Sequence, residues 1–274
     1  NVSKADVELA AKKYFNVNNA RVVVVGKGSE ILSSLENIDF HGKKLPVLSY
    51  SKTADRIETP DYKASAPEGI TVKTVIEKYI KSIGGKAKLE AAKSYAMTAA
   101  AEMQGMKLEL EMKKTTNNQF MQDVKMMGNS MSKQVLNGDG GYMVAQGQRK
   151  DFSEEEVMKI KEESALFPEL NYATLEGISL EGMEMVGDKN AYKLKVNDNK
   201  LAFYDIETGL KLQEVNITEM QGQQMTSTSN FENYQEVDGI LFPFKLIQTV
   251  GPQNFEFIVS EIKINDGVSA IDFE

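Results

Sequence analysis

The chain has 274 residues, of which 41% are hydrophobic and 26% charged, with one histidine, no cysteine and a formal charge of -8. That length holds one large domain or two ordinary ones, and no apolar run approaches the roughly 20 residues of a membrane span. The acidic balance argues against nucleic acid, since phosphate binding needs a basic face that releases counterions. Lack of cysteine removes disulfides, thiolate metal sites and thiol nucleophiles together, and leaves the compartment open.

The chain opens on Asn1 without a methionine and without a signal-peptide pattern, which is expected of an excised or processed fragment. Ser3-Lys4-Ala5-Asp6 has the form of a capping box, and Val7, Ala10, Ala11 and Tyr14 follow at helical spacing, so a helix is predicted from about Ser3 to Phe15. After a polar turn at Asn16 to Asn19, the β-branched run Ala20 to Val25 predicts a strand buried on both faces, ending at Gly26. A second short helix is predicted over Ser29 to Asn37, with Ile31, Leu32 and Leu35 inward. From Phe40 to Gly69 periodicity disappears and Pro46, Pro60 and Pro67 punctuate the chain, which reads as a linker. Thr71 then caps a helix with Val72, Val75, Ile76, Tyr79, Ile80 and Ile83 on one face, closed by Gly84-Gly85, and a helical turn follows over Lys86 to Ala92.

Beyond Lys93 the period becomes two. In Met106 to Met112 apolar and charged residues alternate without error, which gives a sheet one dry and one wet face. Further strands are predicted at Gln119 to Met127, Ser132 to Leu136, Gly141 to Gln146, Ile178 to Val186, Ala191 to Val196 and Lys200 to Asp205. Lys211 to Glu219, Met225 to Tyr234, Leu241 to Val250 and Asn254 to Ile264 complete the set. Turn clusters such as Gly187-Asp188-Lys189-Asn190 and Asp238-Gly239 separate them. Only Ser153 to Ser164 interrupts, as an amphipathic helix carrying Val157, Met158 and Ile160. Roughly eleven short strands with few helices imply an antiparallel sheet that must curl, with helices over its open face. The fold class expected is therefore mainly β (α+β), with Ile70 to Glu274 one domain.

Catalytic constellations are missing from the sequence. His41 has no second histidine for a zinc site or a Ser-His-Asp arrangement. Glu154-Glu155-Glu156 follows Ser153 at a helix start, where the macrodipole favours carboxylates. Asp139 lacks the spaced carboxylates of a calcium loop, and Gly84-Gly85 follows a helix rather than a strand, unlike a phosphate loop. What remains is apolar surface: Met106, Leu108, Leu110 and Met112, with Phe120, Val124 and Met126 on the next strand, line either a filled core or the concave face of an open half-barrel. All 14 methionines lie between Met97 and Met225, and such flexible, polarizable side chains suit a surface that adapts to apolar ligands as well as a loosely specified core.

Two segments carry family resemblances. SKADVELAAKKYFNVNNARVVVVG, Ser3 to Gly26, resembles the closing helix and strand of an insulinase-type (pitrilysin) zinc peptidase domain. VIEKYIKSIGGKAKLEAAKSY at Val75 to Tyr95, LNGDGGYMV at Leu136 to Val144, AFYDIETGLKL at Ala202 to Leu212 and NYQEVDGILFPFKL at Asn233 to Leu246 together resemble the LolA-like, outer-membrane lipoprotein-sorting family. The second resemblance implies a half-open antiparallel barrel with helices over an apolar cavity, in the periplasm or at the outer membrane. Its lid candidates are Val75, Ile76 and Tyr79 on one helix and Val157, Met158 and Ile160 on the other. The lipoprotein carriers hold the lid with an interior arginine, whereas this domain has only Arg149, read as a loop residue. The peptidase motif H-x-x-E-H is absent.

The organisation expected is a peptidase-domain remnant over 1–39, a linker over 40–69 and a LolA-like half-barrel over 70–274. Its expected role is non-catalytic binding of a lipid, lipoprotein acyl chain or other apolar ligand beside an upstream peptidase domain. The alternative is a structural or interaction appendage with a filled interior. No cofactor or metal is expected, nor a membrane span. With no H-x-x-E-H, the chain is expected to show no chelator-sensitive cleavage of peptide substrates and no stoichiometric zinc by elemental analysis.

Overall fold

A strand with one dry face must find partners on both edges, and after residue 93 the chain supplies them in succession. The computed structural model describes residues 2–14, 21–26, 28–40, 42–59, 65–103, 105–220, 223–251 and 253–274, in two units, Asn1–Pro60 and Asp61–Glu274.

In the first unit, α1 (Lys4–Tyr14) starts at the expected cap: the Ser3 backbone N–H donates to Asp6 at 2.9 Å, and the Asp6 N–H donates to the Ser3 hydroxyl at 3.3 Å. α2 spans Gly28–Glu36. Two two-residue hairpins follow, β1 (Asp39–Phe40) with β2 (Lys43–Lys44) and β3 (Ser49–Tyr50) with β4 (Arg56–Ile57), inside the stretch read as a linker. The strand expected at Ala20 to Val25 is corrected: residues 21–25 are irregular, and Val22, Val23 and Val25 are more than four-fifths exposed. A strand buried on both faces needs flanking strands, and the short strands of this unit pair only with each other among the described residues. Ala20, the turn at Asn16 to Asn19, the helix end at Phe15 and His41 lie outside the described residues.

The second unit begins with α3 (Val72–Ser82), whose Thr71 cap accepts from the Thr74 N–H, and α4 (Lys86–Ala91). The strands are β5 (Ser94–Met103), β6 (Met106–Thr115), β7 (Gln119–Met126), β8 (Asn129–Asn137), β9 (Gly140–Ala145) and β10 (Gln148–Asp151). Helices α5 (Glu154–Ser164) and α6 (Glu169–Tyr172) come next. The remaining strands are β11 (Ser179–Val186), β12 (Lys189–Asn197), β13 (Lys200–Asp205), β14 (Lys211–Met220), β15 (Gln223–Val237), β16 (Ile240–Val250) and β17 (Gln253–Ile264). They form one open, 13-stranded antiparallel sheet in the order β10-β9-β8-β7-β6-β5-β17-β16-β15-β14-β13-β12-β11. The protein is mainly β, as the alternation implies, with few covering helices.

Two strands escaped the sequence reading. β5 reads Ser-Tyr-Ala-Met-Thr-Ala-Ala-Ala-Glu-Met, whose alanines favour helix. Paired on both sides, it buries Met97, Ala99 and Ala101 on one face, so tertiary burial overrides propensity. β10 is polar and exposed throughout, and it closes one sheet edge with charge, which discourages pairing with another chain. Arg149 therefore lies on an edge strand, not in a loop. Met127, assigned to a strand from sequence, is a turn residue with φ +52°.

Even-numbered positions of β6 and β7 face the helices. There α3 buries Val75, Ile76, Tyr79 and Ile83 in a core with Leu194, Ala202, Tyr204 and Ile240. Hydrogen bonds tie α3 to two hairpins: Lys78 Nζ donates to the Ile206 carbonyl at 2.6 Å, Ser82 Oγ to that of Thr208 at 2.7 Å, and the Leu241 N–H to that of Ile83 at 2.9 Å. The contact is close: a Cβ on Gly84, whose φ is +133°, would sit 2.5 Å from the Gly239 carbonyl oxygen. On the opposite face, a C-terminal 3-10 turn (Ala270–Phe273) packs Phe273 against Met121 and Val135. Lys113 bonds Asp272 at 2.6 Å there. Ile76 is fully buried at the centre of the α3 contact, so Ile76→Ala is expected to lower the unfolding free energy by roughly 2–5 kcal/mol in urea melts.

Candidate functional site

Register, not proximity in sequence, assembles the inner wall. Leu108 stands opposite Met126, Leu110 opposite Val124, Met112 opposite Gln122 and Lys114 opposite Phe120. Side chains of one strand alternate between faces, so all eight share the inner face. Leu108 and Phe120 are buried, while Leu110, Met112, Val124 and Met126 are only half-buried. Met106, also half-buried, sits at the far end of β6 opposite Met103.

The segment 152–178 carries α5 and α6 from the β10 edge to the β11 edge across this face. Val157 and Ile160 of α5 pack with Phe152 over Phe120, Leu136 and Met112. Met158 is 60% exposed on the outer flank of α5, because Val157 and Ile160 occupy its sheet-facing side. The first turn of α5 is a capping box in which Lys150 and Ser153 hold the Glu156 carboxyl down at about 2. Asp139 is ion-paired to Lys161. Val75, Ile76 and Tyr79, from the other expected lid helix, lie in the main core, with the Tyr79 and Tyr204 rings edge-to-face at 5.2 Å.

A cluster of charges inside the sheet was missed from sequence. Lys211 Nζ of β14 donates to Glu169 of α6 and to Glu214 of β14, each at 2.7 Å, and Lys200 of β13 reaches Glu214 at 3.4 Å. The Tyr234 hydroxyl donates to the Lys211 carbonyl at 2.8 Å. Among the described residues the buried Tyr204 hydroxyl has no hydrogen-bond partner. Burial alone pushes the Glu214 carboxyl up, and the ammoniums of Lys211 and Lys200 outweigh it, bringing the group from 4.5 down to about 2. Burial depresses Lys211, and Glu169 and Glu214 overcome that to hold it well above its usual range. No local sequence signal marks it: that Glu214 stands opposite fully buried Ala202, and so points inward, follows from the register of β13 and β14.

Lys114 faces the same interior from the other wall. Burial and the nearby Lys200 ammonium bring it down to about 8. β6 and β13 are six strand positions apart, which in a flat sheet would be about 29 Å, well beyond the ~8 Å over which charges are felt in physiological salt. The sheet curls, since Leu108 of β6 and Leu194 and Ala202 of β12 and β13 belong to one hydrophobic core on the concave side.

Arg149, by contrast, lies away from the concave interior. It stacks 3.8 Å over the Tyr142 ring and bonds Asp151 at 3.0 Å, beside an open depression of about 500 Å³ at the β9–β10 edge. Among the described residues no group of three or more His, Asp or Glu is arranged to hold a metal ion, and no helix is long and apolar enough to cross a membrane.

No protein-family model and no curated protein matches this chain. Among solved structures it is similar to a LolA superfamily protein from Nitrosomonas europaea at 12% identity and TM-score 0.47, covering 75% of this chain and 98% of that one. A putative outer membrane lipoprotein-sorting protein domain from Vibrio parahaemolyticus matches at 12% identity and TM-score 0.43, over 73% of this chain and 97% of its own. A DUF1329 family protein from Desulfovibrio piger matches at 13% identity and TM-score 0.45, over 74% and 97%.

The charge cluster makes stability acid-sensitive. Glu214 has a folded pKa of about 2, below the unfolded value, so its contribution is complete above about pH 5 and is lost as pH falls toward 2. Glu214→Gln is expected to cost roughly 3–5 kcal/mol at neutral pH and to flatten the dependence of unfolding free energy on pH between 5 and 2, measured by denaturant melts across that range.

Proposed function

We propose that the β-domain is a non-catalytic binding module that takes an acyl chain, from a lipid or a lipoprotein, along the inner stripe of β6 and β7. The reading rests on one observation, the unequal filling of the concave face. Beneath α3 the interior is closed, with Ile76, Leu194, Ala202 and Tyr204 at 0% exposure. Along β6 and β7, Leu110, Met112, Val124 and Met126 stay half-buried although they point to the same dry side. An apolar surface left partly accessible inside a curled sheet is where an apolar ligand gains most by excluding water.

The neighbouring proteins' printed names, a LolA superfamily protein and an outer membrane lipoprotein-sorting domain, agree with this reading, and a periplasmic or outer-membrane setting goes with it. The boundaries proposed are a peptidase-domain remnant over 1–39, a linker over 40–69 and the binding domain over 70–274. The upstream zinc peptidase rests on the likeness of Ser3 to Gly26 alone. The competing reading, an interaction appendage with a filled core, draws on the packing of α5 over Phe120 and Leu136.

Fluorescent fatty-acid probes of increasing length decide between the two. Each added methylene is expected to tighten binding by about 0.8 kcal/mol before ordering costs. Leu110→Glu is expected to abolish binding while leaving the fold intact, and Leu110→Ala to cost less than the roughly 2–5 kcal/mol of a core site. Failure of every probe to bind, together with a full core penalty at Leu110, would make the filled appendage the correct account.

A further inference from the structure

The apolar stripe on β6 and β7 ends in a cation that no carboxylate of the described residues meets in an ion pair. From Leu108 to Lys114 the inner positions of β6 read Leu, Leu, Met, Lys, and Phe120 lies directly opposite the lysine with its ring 5.7 Å from Nζ. Three ammoniums, of Lys114, Lys200 and Lys211, point into this interior against two carboxylates, of Glu169 and Glu214. Both carboxylates are already engaged: Glu169 by Lys211, and Glu214 by Lys211 and Lys200. Among the described residues Lys114 has no carboxylate within ion-pairing distance; Glu214 and Glu169 attract it only from farther off, and protein packed around its ammonium removes much of its water. The other lysines of β6 and β7, which face the convex side, are paired: Lys107 with Glu109, Lys113 with Glu111 and Asp272, and Lys125 with Glu111 and Asp123. The exception thus occurs on the inner face, at the end of the apolar wall.

A desolvated cation without a counter-ion is costly, and the cost falls when an anion is brought to it. The stripe sets what that anion is attached to. From Leu108 to Lys114 it measures about 20 Å, enough for one acyl chain, whose length is about 15 Å, half the hydrocarbon core of a bilayer. We propose that the ligand is an anionic amphiphile, bound with its carboxylate or phosphate on Lys114 and its chain laid along Met112, Leu110, Val124 and Met126 toward the Leu108 end. This assignment rests on the acyl-chain reading of the stripe and adds to it the polarity and charge of the ligand.

The test compares probes that share a chain and differ in charge, on the full chain: palmitate, hexadecyl phosphate and hexadecanol, with inorganic phosphate as an anion lacking a chain. Both charged amphiphiles are expected to bind about tenfold or more tighter than hexadecanol, the increment of a charge-assisted hydrogen bond. Lys114→Met is expected to erase that preference while binding hexadecanol at least as tightly as the parent, and Lys114→Arg to restore it. Thermal melting of Lys114→Met should match or exceed the parent, since a half-buried cation with no ion-pair partner has been removed. If that variant does not fold, the charged-to-neutral affinity ratio of the parent decides alone. Equal affinity for palmitate and hexadecanol overturns the anion site and leaves the acyl-chain reading standing. Failure of all three amphiphiles overturns both. Displacement of palmitate by millimolar phosphate, with hexadecanol unable to bind, assigns Lys114 to a free anion and overturns the amphiphile.

Discussion

The sheet is one object because β5 pairs with β17. Their ladder joins residues far apart in the chain, with Ile258 opposite Ala100 and Ile264 opposite Tyr95, and Ser260 donating to the Thr98 carbonyl 162 positions away. Every other pairing in the large sheet is between consecutive strands. Without the β5–β17 ladder the chain would form two separate meanders, each with two open edges. With it the sheet is wide enough to curl, and the twist built into each strand pair accumulates until β6 and β13 look at each other. The concave face, its helical cover and its buried charges all depend on that closure.

The curl gives the concave face one apolar core, fully buried under α3 and only half-buried along β6 and β7. Under α3 large side chains are fully buried, and hydrogen bonds donated by Lys78 and Ser82 and accepted by the Ile83 carbonyl fix the helix to the sheet. Over Phe120 and Met112 the cover is α5, which reaches the sheet through Val157 and Ile160, while the short α6 is tied to β14 by the Glu169–Lys211 pair. A buried ion pair adds little net stability compared with apolar packing, but it fixes which group stands opposite which. In this fold it fixes α6 against β14, beside α3 in the main core, while the stripe itself stays partly accessible.

The charges explain one another once the curl is given. Lys211 tolerates burial because Glu169 and Glu214 bracket it, and Tyr79 and Phe231 present ring faces to it at 5.9 and 5.1 Å. Lys200 uses the remaining oxygen of Glu214. That arrangement engages both carboxylates, so burial, with the Lys200 ammonium beside it, depresses Lys114, while the close carboxylates raise Lys211.

The sequence alone determined the fold class, because a period of two over Met106 to Met112 is compatible only with a sheet that is dry on one side, and a pair such as Asp238-Gly239, both at positive φ, demands a tight hairpin. It also determined α1, α3 and α5 through Ser3, Thr71 and Ser153, whose hydroxyls accept from the backbone of the first turn. It did not determine the fate of segments whose local preference is opposed or unsupported by their surroundings. Alanine-rich β5 became a strand because two neighbours paired with it, the valines at 22–25 did not because none did, and charged β10 was fixed by an edge. Nor could it distinguish Lys114 from Lys113. Alternation places them on opposite faces, but which face is concave, and that Lys200 and Lys211 lie across from it, follows from the accumulated twist of the intervening strands, which no local pattern encodes.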